Sequence, residues 1–146
     1  KIDNVLLDQD TDEVMCIVDL DTVMPGLIHY DFGDMVRTLT SPADEDERDL
    51  DKVTMRMDFF DALAKGYLSE ANDFLSEAEK GYLAQAGKVI TFQLGVRFLT
   101  DHLNGDTYFR VHREGQNLDR ARVQFKLVER MLENEEAMKA TIAALG

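Results

Sequence analysis

The chain has 146 residues, and its 16 basic against 29 acidic side chains give a formal charge of −13 with 45% hydrophobic residues. A chain of this size buries roughly 70% of the surface its unfolded form exposes, enough for one folded unit. Acidity of this degree, with no cluster of Lys and Arg, excludes a nucleic-acid backbone as partner, and no apolar run reaches the ~20 residues that span a bilayer. Cys16 is alone, so no disulfide forms within the chain and a reducing, cytoplasmic setting is expected.

In chain order, Val5, Leu6 and Leu7 form a short apolar run, residues 8–13 are polar, and residues 14–20 form a second apolar run. The pattern predicts a β-hairpin over residues 5–20. Pro25-Gly26 marks a turn, and a short helix is expected over residues 30–38. The acidic run at residues 41–51 reads as a solvated loop. Val53, Met55 and Met57 alternate with polar residues, which predicts a short strand before a helix over residues 58–70 with Phe59, Phe60, Leu63 and Tyr67 as its apolar face. Ser76 with Glu79 three positions later is a capping box for a long helix, whose apolar positions Leu83, Ala86, Val89, Ile90, Leu94, Phe98 and Leu99 run up to a stop at Asn104-Gly105. Helices over residues 119–134 and 135–145 follow. The predicted class is α+β, mostly helical, with a hairpin at residues 5–20 ahead of a helical body at residues 58–145 in a single domain.

Two motifs near the start mislead. Asp8, Asp10, Asp12 and Asp19 have the spacing of a calcium loop, but Glu13 stands where that loop needs Gly, and apolar strand-like runs stand where it needs helices. Asp31-Phe32-Gly33 spells the metal-binding triplet of protein kinases, yet the hairpin that should precede it has ended near Leu20. Asp19 is therefore the better metal ligand, and Asp31 is expected to hydrogen-bond nearby amides. His29, His102 and His112 lack ligand spacing and read as ordinary polar residues.

Asn4 enters the first predicted strand and Asp19 closes the second, so a hairpin returns both side chains to one end of a small sheet. An amide and a carboxylate there suit magnesium, which takes few protein oxygens and shares the rest of its shell with phosphates and water. The strings Lys1-Ile2-Asp3-Asn4-Val5-Leu6-Leu7, Val18-Asp19-Leu20-Asp21-Thr22-Val23-Met24-Pro25-Gly26 and His29-Tyr30-Asp31-Phe32-Gly33-Asp34 resemble the aminoglycoside phosphotransferase and choline kinase superfamily. Through these strings, and through residues 97–106, 108–109, 117–120 and 124–128, the chain is most similar within it to the N-acetylhexosamine 1-kinases.

The resemblance implies the C-terminal lobe of a kinase-like fold, with ATP and Mg2+ as cofactors and a small sugar as acceptor. It implies that Lys1 belongs to the tail of the catalytic loop, that Asn4 and Asp19 bind the metal and its nucleotide, and that Arg97 and Tyr108 line the sugar pocket. The general base and the ATP-binding N-terminal lobe would precede Lys1, so the chain is expected to be a fragment, inactive alone and completed by that missing lobe. A choline, amino-alcohol or aminoglycoside kinase, or a non-catalytic helical interaction domain, are the alternatives.

Overall fold

A computed structural model describes residues 4–146. The class is α+β and mostly helical: two short strands, β1 (Val5–Leu7) and β2 (Val14–Ile17), precede α1 (Ile28–Thr40), α2 (Met57–Ala71), α3 (Glu77–Leu103), α4 (Gln116–Glu133) and α5 (Glu135–Leu145).

The strands pair antiparallel with Val5 opposite Ile17 and Leu6 opposite Cys16, and a bulge lets Leu7 face Val14. Asp8 builds the turn, its Oδ1 accepting from the backbone N–H of Asp10 and Thr11 and from the Thr11 hydroxyl. Those donors hold the Asp8 carboxyl below its usual range. This carboxylate is thus engaged by its own turn, and among the described residues no group of three or more His, Cys, Asp or Glu side chains is placed to hold a metal. The strand expected to reach residue 20 ends at Ile17, because Asp19 adopts a left-handed φ of 61° that turns the chain out of the extended path.

Helix α3 is the axis of the body and packs against α1, α4 and α5, while α2 bridges α1 and α5. Its start is fixed by the capping box: Ser76 Oγ accepts from the Glu79 N–H, and Glu79 Oε2 accepts from the Ser76 N–H. On α1, Phe32, Val36 and Thr40 recur every four residues and are buried. Phe32 meets Phe60 of α2 edge-on at 6.3 Å between ring centroids. Gly33 beside it lets α1 lie directly on α3, for a Cβ there would stand 2.6 Å from the Ala86 carbonyl oxygen. The triplet Asp31-Phe32-Gly33 is in this chain a helix-packing sequence, with Phe32 in the core and Gly33 at the crossing. Asp31 is exposed in the first turn of α1, and no amide among the described residues donates to its carboxylate.

Four other expectations are corrected. Residues 53–57 form no strand: a single 3₁₀ turn, Leu50–Lys52, leads into an irregular segment that makes its hydrogen bonds to helical elements and not to a partner strand. The Arg56 N–H donates to the Thr40 carbonyl and the Val53 carbonyl accepts from Arg130 Nε, while Val53 itself is fully buried. Phe59 is 44% exposed, covered by the Arg56 guanidinium at 3.7 Å from the ring centroid, because the buried face of α2 runs through Phe60, Ala64, Leu68 and Ala71. Val89 is 58% exposed on the outer side of α3. The acidic run is docked rather than free: Asp46 accepts from Arg113 and Gln116, and Glu45 pairs with Arg120 at 3.2 Å, tying the loop to the start of α4.

Candidate functional site

The hairpin register decides what meets at its open end. One step beyond the Val5–Ile17 pair, the Val18 N–H donates to the Asn4 carbonyl at 2.9 Å, and the next residue, Asp19, turns its side chain onto Asn4. Asn4 Nδ2 donates to Asp19 Oδ2 at 3.2 Å across 15 positions of sequence. One amide hydrogen spent in this way holds the pair together and leaves the amide oxygen and the second carboxylate oxygen for a hard cation. The left-handed backbone of Asp19 is one of three such non-glycine residues described, with Asp12 and Asp106, and Asp is among the residues that tolerate it. Strained backbone of this kind concentrates where a side chain must be aimed. Lys1, the other residue expected at this end, lies outside the described residues.

A second cluster lies at the C-terminal end of α3. Arg97 Nη2 donates to the Tyr108 hydroxyl at 3.4 Å, and its guanidinium lies 5.6 Å from the Tyr108 ring centroid and 5.3 Å from that of Phe109. Among the described residues Arg97 has no carboxylate partner. Val96, Thr100, Asp101, Asn104 and Thr107 complete a concave site of about 360 Å³ around Arg97, Tyr108 and Phe109. Tyr108 is 73% exposed, so the phenol stands at an open mouth. Arg97 also borders a polar hollow of about 300 Å³ with Asp34, Arg37 and Gln93, where Arg37 Nε donates to Asp34 Oδ1. That hollow joins the second half of α1 to the Arg97 cluster.

Sequence reasoning missed the groups that shape this site. Asp101 Oδ1 accepts from the backbone N–H of Thr107 and Tyr108, and its Oδ2 accepts from the N–H of Phe109 and from Asn117 Nδ2. Burial acts to raise the Asp101 carboxyl, but the amides of Phe109, Tyr108 and Thr107 outweigh it and hold the group below its usual range. Asn117 is fully buried and also donates to Asp106 Oδ1, while its carbonyl accepts from Arg120. The only trace of this in the sequence is that Asp101 follows Arg97 by one helical turn, which puts both on one face of α3.

The sequence model of the phosphotransferase enzyme family matches residues 1–79. The matched stretch contains Asn4, Asp19 and the whole of α1 and α2, and it ends as α3 begins; Arg97 and Tyr108 lie beyond it. With more than half its length matched, and with the amide and carboxylate at the hairpin's open end in contact, the chain belongs to the phosphotransferase enzyme family.

Proposed function

We propose that this protein transfers the γ-phosphoryl group of ATP to the anomeric hydroxyl of an N-acetylhexosamine, giving a sugar 1-phosphate. The observation that carries the phosphotransfer half is the Asn4–Asp19 contact. Asn4 and Asp19 would hold Mg2+, and the donor set fits: one amide and one carboxylate oxygen are the few hard ligands this ion takes from protein when phosphates and water supply the others. When bound, magnesium neutralises charge on the phosphate oxygens during transfer. The exposed apolar side chains of the hairpin, Leu6, Val14, Met15 and Ile17 among them, support the expectation that an ATP-binding lobe of the same protein packs there. A two-stranded hairpin is marginal without such cover.

The acceptor half rests on the Arg97 cluster. A guanidinium with no carboxylate partner, beside a phenol, offers donors to hydroxyl and acetamido oxygens, and the flat Tyr108 and Phe109 rings suit the apolar face of a pyranose. The same positive charge disfavours choline or an aminated acceptor, and two carboxylates of the acidic loop that could have attracted one, Asp46 and Glu45, are already paired with Arg113 and Arg120. In this reading Arg97 and Tyr108 orient the acceptor so that its hydroxyl lies in line with the phosphate, a gain in effective concentration rather than bond chemistry.

The test uses the protein with all residues encoded upstream of Lys1, offered ATP and a panel of hexosamines, simple hexoses, choline and aminoglycosides. N-acetylhexosamines should be the preferred acceptors, and Arg97→Ala should raise their KM about tenfold or more while leaving that for ATP within about twofold. Preference for an amine, or an equal rise in both constants, refutes the acceptor assignment.

A further inference from the structure

The contacts around Asp101 have a direction. Asp101 is 5% exposed, and its carboxylate faces the segment that leaves α3, where residues 107, 108 and 109 present three successive backbone N–H groups to it. The Asp106 N–H returns to the Asp101 carbonyl at 2.9 Å, and Gly105 and Asp106 both take left-handed backbone, with φ of 86° and 56°. The chain therefore reverses tightly around one side chain. One turn earlier on the same helix face stands Arg97, and the outcome of the reversal is that the Tyr108 hydroxyl reaches it. From behind, Asn117 holds Asp101 Oδ2 at 2.9 Å, and Arg120, itself paired with Glu45, holds the Asn117 carbonyl.

We propose that Asp101 is a positioning residue for the acceptor site: its buried carboxylate gathers residues 107–109 and so fixes the Tyr108 phenol and Phe109 ring against Arg97. The proposal rests on the reading of the Arg97 cluster as the acceptor site. A carboxylate suits this task because it accepts four hydrogen bonds without needing to donate one, whereas the isosteric amide of Asn turns a donor toward donors. A loop held by three backbone amides is specified in conformation whatever its side chains are, which leaves positions 107–109 free to serve a ligand.

The experiment is steady-state kinetics on the full protein with Asp101→Asn, a change of no volume that sets an NH2 among the N–H groups. The acceptor KM should rise about tenfold, the size of a coupling between members of one hydrogen-bond network, while kcat and the ATP KM stay within about twofold. On a Tyr108→Ala background the same substitution should add clearly less than about tenfold, since part of its effect passes through Tyr108 and only the Phe109 part remains. Independently of any acceptor, the amides of Thr107, Tyr108 and Phe109 should lose protection from hydrogen exchange in Asp101→Asn while those in the middle of α3 and α4 keep theirs. Should Asp101→Asn fail to fold, Asn117→Ser keeps the carboxylate and withdraws the amide that orients it, and a rise of about threefold in the acceptor KM alone is expected. Equal losses in kcat and both KM values, or full additivity with Tyr108→Ala, overturn the proposal. Arg97→Ala with an unchanged acceptor KM overturns the acceptor reading and the proposal with it; an effective Arg97→Ala beside a silent Asp101→Asn overturns the proposal alone.

Discussion

Replacing Gly33 by Ala should separate the two helices that carry the hollow between Asp34 and Arg97. A Cβ at this position would lie 2.6 Å from the Ala86 carbonyl oxygen, 2.8 Å from its carbon and 3.0 Å from Ile90 Cγ1. The nearest atoms are backbone, so no rotamer change relieves them. A comfortable C···O separation is about 3.3 Å, so α1 must lift from α3 by about 0.7 Å, a gap that forfeits a quarter to a half of each dispersion contact it opens. Overpacking of this kind costs about 3 kcal/mol at its upper end, and the better helix propensity of Ala returns about 1 kcal/mol. The net loss of about 2 kcal/mol corresponds to a fall in Tm of about 4–8 °C for a chain of this size. Gly66 in α2 and Gly81 in α3 are the internal controls, because a Cβ at either meets nothing within 4 Å. Thermal and urea unfolding should show Gly66→Ala and Gly81→Ala equal to or more stable than the parent and Gly33→Ala less so. If Gly33→Ala stabilises as the controls do, the helix crossing described here is wrong.

Two further outcomes follow from local chemistry. Ser76→Ala removes the acceptor for the Glu79 N–H and half of the capping box, and should lower stability by about 1 kcal/mol, read as a Tm fall of about 2–4 °C; an unchanged Tm would show that the cap contributes nothing. Asp101 is held below its ordinary value of 3.8 in the folded protein, so its contribution is present above that value and disappears only as pH falls through the lower folded one. The amide resonances of residues 107–109 should stay fixed down to about pH 4 while exposed carboxylates titrate, and a loop transition at or above that pH would contradict the hydrogen bonds assigned to Asp101.

The sequence made legible whatever depends on spacing along the chain. The apolar runs flanking Asp8 gave the hairpin, and counting along its two arms brought Asn4 opposite Asp19; Ser76 and Glu79 gave the start of α3 at the right residue. Illegible were features that depend on what lies across the fold. Alternation at Val53, Met55 and Met57 looks like a strand, but the segment pairs with neither β1 nor β2 and instead inserts Val53 into the helical core. The charge run at residues 44–47 looks solvated until Arg113 and Arg120 are brought to it from the α4 side. Nothing in the sequence singles out Asp101, and its role emerges only when residues 107–109 fold back over it. Arg97 and Tyr108 were singled out by resemblance alone; their contact, 11 positions apart, is a product of that same reversal.

Phosphoryl transfer depends most on the oxygen donors at the open end of the hairpin. The direct measurement is phosphoryl transfer by the full protein carrying Asp19→Asn, followed over a range of Mg2+ concentrations with the fold verified by circular dichroism. Weakening a residue that merely orients a metal ligand costs about 10–100-fold, so loss of the ligand's charge should cost at least about 100-fold in kcat/KM, with the Mg2+ dependence displaced to higher concentration. A folded Asp19→Asn protein that works at close to the parent rate with an unaltered Mg2+ requirement would contradict the assignment.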